Sequence, residues 1–173
     1  MRMKLNEHRE MLKKNEECWL ADYDRAQRNF VEHLWKWVKD KNPTAKKKDK
    51  CDVMNEVAGL VFEAQGYRPL FHLSDSNIMA WNSPKDWDRY SHIRYEIGHM
   101  NPKNNGGESE PENLCFMSAR CNQHIQSSLP FEEVIENYFT HNTKATSVVE
   151  RVNDLKALHQ SPRWKELKSD LLK

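Results

Sequence analysis

The chain has 173 residues, 38% of them hydrophobic and six of them Trp, with 27 Lys and Arg against 26 Asp and Glu for a formal net charge of +1. That size and aromatic content describe one packed domain rather than a disordered segment, and the near-neutral balance excludes a uniformly basic nucleic-acid binder, so any positive field has to be local. No stretch has the apolar length of a membrane span, the charged opening MRMKLNEHREMLKKNEE lacks a signal-peptide core, and Cys18, Cys51, Cys115 and Cys121 are too scattered for a disulfide scaffold.

In chain order, Trp19, Leu20, Tyr23, Ala26, Phe30, Val31, Leu34 and Val38 recur at helical spacing and predict an amphipathic helix over 19–40. Pro43 and the run KNPTAKKKDK (Lys41 to Lys50) end it. The run carries five Lys against one Asp, and reads either as a solvated linker or as a phosphate-contacting loop. A second helix is predicted over 51–65 through Val53, Val57, Leu60, Val61 and Ala64, with Gly66 as its stop. YRPLFHL reads as a short strand and Ser74 to Ser91 as loop. Ile93 to Met100 alternates as a strand does, Asn101 to Asn113 must be loop because it holds two Pro and a Gly-Gly pair, and Leu114 to Met117 is a second strand. A short helix over Ala119 to Ser127 follows. Two further stripes, Phe131, Val134, Ile135, Tyr138 and Phe139, then Val148, Val152, Leu155 and Leu158, predict helices in the tail. Ser161-Pro162 opens a last helix, Ser as its cap and Pro in its first turn. The expected class is α+β: a mainly helical domain around one small central hairpin.

That hairpin segment reads YEIGHMNPKNNGGESEPENLCFMSARCNQHIQSS. It resembles the HNH (ββα-metal) nuclease family in His99, Pro102, Gly106-Gly107, Asn113-Leu114 and Cys121-Asn122, taken in order. Glu96-Ile97-Gly98-His99 looks like the E-x-G-H form of the first strand. The resemblance covers about a fifth of the chain and divides it into a helical region 1–92 for DNA contact or dimerisation, a nuclease motif 93–130, and a helical extension 131–173 packed on the same domain.

The resemblance implies a DNA endonuclease leaving 5′-phosphate and 3′-hydroxyl ends, dependent on one Mg²⁺ or Mn²⁺ per site, with no structural zinc because Ser118 breaks the cysteine knuckle. It makes His99 the general base, Asn113 the residue that orients the loop and imidazole, and Asn122 a metal ligand. The chemistry is consistent with these types: a neutral imidazole can deprotonate water, and a divalent ion can offset charge on the phosphate and the leaving oxygen. Gly98 stands where many relatives carry an acidic ligand, so Glu96, on the same strand face, is expected to supply the carboxylate that Mg²⁺ prefers. Gln126, one turn past Asn122, is a further ligand or a support behind the ligands. Lys46, Lys47, Lys48, Lys103, Arg120 and His124 are the candidate DNA contacts. The remaining histidines, His33 and His159 among them, read as ordinary. One such site cuts one strand, so double-strand cleavage requires a homodimer or two nicks. A cytoplasmic location is expected. The alternative is a non-catalytic nucleic-acid-binding protein that retains the scaffold.

Overall fold

The computed structural model describes residues 24–66, 69–70, 95–118, 121–126, 129–138 and 145–173. The first helix, α1, runs through 24–41, and α2 spans Lys47–Ala64. Strands β1 (Tyr95–His99) and β2 (Leu114–Ser118) form one antiparallel pair, and a π-helical turn spans Cys121–Gln126. Helices α3 (Phe131–Tyr138), α4 (Ala145–Gln160) and α5 (Pro162–Leu172) complete the described chain. The class is therefore mostly helical with a two-stranded sheet, compatible with α+β. The expected strand YRPLFHL lies largely outside the described residues, and the loop 74–91 and the start of the first helix at 19–23 lie wholly outside them.

Hydrophobic periodicity builds this arrangement. Ala26, Phe30, Leu34 and Val38 on α1 are fully buried and meet Met54, Val57, Ala58, Val61 and Phe62 of α2 in a single core. All five residues of β2 are buried, so that strand runs through the core. Phe116 at its centre packs on Phe30 (ring centroids 4.9 Å apart) and on Phe62 (5.2 Å). A strand buried this deeply leaves backbone polar groups in need of partners. At Phe116 of β2 they come from the Gln65 side chain and the Leu70 backbone: fully buried Gln65 donates to the Phe116 carbonyl (2.8 Å) and accepts from its N–H (2.9 Å), and the Leu70 N–H donates to the same carbonyl (2.7 Å).

The basic run departs from expectation. Lys47 to Lys50 is not linker but the first turn of α2. Two tertiary contacts carry it: Lys47 pairs with Glu32 of α1, and Lys50 donates to the Asp170 carbonyl near the end of α5 (2.6 Å). Cations at a helix N-terminus oppose the helix dipole, which is why sequence alone places the start later. The other end follows expectation, with Gly66 at φ 63° after the last turn of α2. The Ser161 side chain accepts from the Trp164 N–H (3.2 Å), as the Ser-Pro signal implied.

The hairpin is tied to its surroundings at both ends. His99 faces Leu114 and Tyr95 faces Ser118 in register. Past β1, the Met100 N–H donates to the Asn113 carbonyl (2.8 Å), and the Phe131 N–H at the start of α3 donates to the Met100 carbonyl (2.8 Å). Glu112 accepts from the Trp164 indole N–H (3.0 Å) and from Lys168 (2.7 Å), which fastens the end of the loop to α5.

Candidate functional site

The loop between the strands turns back on itself through short 3-10 turns at Lys103–Asn105 and Pro111–Asn113. Gly106 sits at φ 79°, a left-handed conformation that favours glycine. Gly107 is required for a different reason, since a Cβ there would collide with the Asn101 carbonyl oxygen. The Asn113 side chain, 8% exposed, holds this tight fold. Its Oδ1 accepts from the Asn101 N–H (2.6 Å), and its Nδ2 donates to the carbonyls of Asn101 (2.9 Å) and Glu108 (2.7 Å).

His99 closes β1 and opens onto a cleft of about 200 Å³ lined also by Pro102, Lys103, Asn104, Asn122 and Gln126. His99 and Asn122 thus come together, brought from the strand and from the helical turn. The imidazole is half-buried, and its pKa is lowered from 6.5 to about 4, first by desolvation, then by the charge of Lys103 and by His33. It is neutral at physiological pH. Its Nε2 shares a hydrogen bond of 3.0 Å with Ser109 Oγ.

Glu96 reaches Asn122 rather than the wall of the cleft. Its carboxylate accepts from Asn122 Nδ2 (3.0 Å) and from Gln123 Nε2 (2.6 Å). With its amide nitrogen engaged in this way, Asn122 keeps Oδ1 as its remaining polar atom, an oxygen ligand of the hard type that Mg²⁺ takes. Gln126, 2% exposed, donates to the His99 carbonyl (2.6 Å) and braces the strand end that carries the imidazole. Among the described residues no three His, Cys, Asp or Glu side chains converge. A hard ion here would therefore rest on Asn122, with few protein ligands and with water completing its shell, a mode Mg²⁺ commonly adopts.

The chain matches no family model, no curated protein and no solved structure.

Of the expected DNA contacts, Lys103 lines the cleft, whereas Lys46, Lys47 and Lys48 lie at the start of α2 with Lys47 engaged by Glu32. Arg120 and the His124 side chain lie outside the described residues. Two residues of the site were not singled out from sequence. Ser109 lies within the motif segment itself, but only the folded loop turns its hydroxyl to His99. His33, read as ordinary, packs its ring edge-on to His99 with centroids 6.1 Å apart, its Nδ1–H donating to the Asn29 carbonyl (2.9 Å). No local signal marks it, because the contact joins α1 to the end of β1. Cys115 is fully buried, and burial drives its thiol far above the usual range, so it is an inert core residue. Cys51 is exposed instead.

Proposed function

We propose that the protein is a metal-dependent DNA endonuclease that hydrolyses one phosphodiester per site and leaves 5′-phosphate and 3′-hydroxyl ends. The observation that carries this reading is the cleft in which a neutral imidazole, His99, faces a carboxamide, Asn122, behind a loop locked by Asn113. His99 accepts the proton of the attacking water at Nε2, the nitrogen that meets the Ser109 hydroxyl when substrate is absent. A pKa near 4 makes a weak base; an anionic phosphate entering the cleft opposes the charge of Lys103, the second cause of that lowering after burial. Asn122 would hold the Mg²⁺ or Mn²⁺, and Glu96, bonded to the Asn122 amide, fixes which way that carboxamide turns. A bound divalent ion supplies charge neutralisation on the phosphate and on the departing 3′ oxygen.

The test is supercoiled plasmid incubated with the protein and Mg²⁺ or Mn²⁺. Wild type is expected to relax and then linearise it, and His99→Ala to lose the activity while keeping its circular dichroism spectrum. A well-folded wild type that binds the plasmid and leaves it supercoiled with every divalent ion overturns the reading in favour of a binding protein on the same scaffold.

A further inference from the structure

A second groove, of about 390 Å³, runs between α1 and the loop that follows β1. Lys36, Trp37 and Lys41 form its helical wall, and Lys103, Glu108 and Ser109 form the wall on the loop side. It is continuous with the His99 cleft in two ways: Lys103 lines both, and Ser109 is the residue bonded to His99. We propose that this groove seats the DNA backbone on one flank of the scissile phosphate, with Lys36 and Lys103 as phosphate contacts and Lys41 joining them on binding. The inference rests on the nuclease reading and adds to it where the strand runs.

The placement of charge supports this course. Neither Lys36 nor Lys103 has an acidic partner within ion-pair distance among the described residues, which leaves both ammonium groups available to a phosphate. Other lysines of α1 and α2 are already used. Lys39, three residues from Lys36, donates to the Pro43 (2.5 Å) and Ala45 (3.4 Å) carbonyls and lies over the Trp35 ring. Lys47 pairs with Glu32, and Lys50 with the Asp170 carbonyl. Lys46 and Lys48 line neither the cleft nor the groove, so that run is the weaker candidate despite its density in sequence. Asp40 and Glu108 also line the groove and partly offset its lysines. The Lys41–Glu108 bridge (3.0 Å) spans it between two largely exposed side chains. Such a bridge contributes little in water and yields readily to an incoming phosphate. Phosphate contacts of this kind position a nuclease on its substrate without reading sequence.

Binding is measured by fluorescence anisotropy with a fluorescein-labelled DNA duplex in EDTA, over a series of KCl concentrations, using full-length wild type and variants. Removing one phosphate-binding cation lowers the slope of log K against log salt by about 0.9. Lys36→Ala and Lys103→Ala are each expected to lower the slope by about that amount, equally for unrelated duplex sequences. Lys46→Ala with Lys48→Ala is expected to leave it at the wild-type value, and Glu108→Gln to strengthen binding by releasing Lys41. An unchanged slope in the Lys36→Ala, Lys103→Ala double variant overturns the inference, as does a wild type that does not bind DNA. If that double variant keeps its slope while wild type still cleaves plasmid, the groove assignment falls and the nuclease reading stands. A lowered slope in a protein that cuts nothing leaves the groove in place and removes the nuclease.

Discussion

Replacing Asn113 separates the two halves of its carboxamide. The side chain makes three short bonds to backbone groups, one accepted at Oδ1 and two donated from Nδ2. A net contribution of about 1 kcal/mol per bond puts Asn113→Ala at about 3 kcal/mol of lost stability. Partial access of water to the loop backbone, where Asn101 and Glu108 are exposed, holds the cost near that figure rather than above it. Asn113→Asp keeps the acceptor facing the Asn101 N–H but sets an anionic oxygen against two carbonyl oxygens. At pH 7.5 it is expected to be less stable than Asn113→Ala, although Asp and Asn are nearly the same shape. The repulsion also raises the pKa of the introduced carboxyl in the folded state. The extra penalty is therefore absent below the unfolded value near 3.9 and grows until pH has risen through the folded one. Urea unfolding followed by circular dichroism at pH 7.5 and pH 4 measures both effects. The reasoning is refuted if Asn113→Ala loses under about 0.5 kcal/mol, or if Asn113→Asp matches wild type at pH 7.5.

Two further tests concern the strand that carries His99. A Cβ at Gly98 would lie 2.5 Å from Met117 Sδ, and Met117 is fully buried. Gly98→Ala should therefore lose about 2 kcal/mol by overpacking. In a Met117→Ala background most of that loss should vanish, and a double-mutant cycle that is additive within about 0.5 kcal/mol would show that steric crowding is not what keeps glycine there. The His99 pKa predicts how stability depends on pH. Folded His99 titrates near pH 4 and unfolded His99 near 6.5, so the unfolded chain binds more protons between those values and stability declines as pH is lowered from 6.5 toward 4. His99→Asn should remove that part of the slope; parallel urea-midpoint profiles for the two proteins over this window would contradict the burial-driven shift.

How far the site could be read in sequence follows from how local each contact is. Gly106, Gly107 and Asn113 were legible because a tight loop and the side chain that bonds it lie within one short segment, as did the hairpin strands and the Ser161 cap. The order of His99, Asn113 and Asn122 along the chain likewise marked the residues that line or brace the cleft. The direction of Glu96 was not legible. Alternation placed it on the correct strand face, but only the packed turn shows its carboxylate bonded to Asn122 and Gln123.

By itself, then, the sequence determined which residues could carry the chemistry and which helices could exist, since periodicity, capping and loop stereochemistry act over a few residues. Tertiary structure alone decided what surrounds them: that α2 begins inside the lysine run, that His33 lies against His99, that Ser109 meets its Nε2, and that Lys36 and Lys103 flank one groove. All of these but the Ser109 contact join positions far apart in the chain. Burial and electrostatics depend on such neighbours, and neither has a local signature to read.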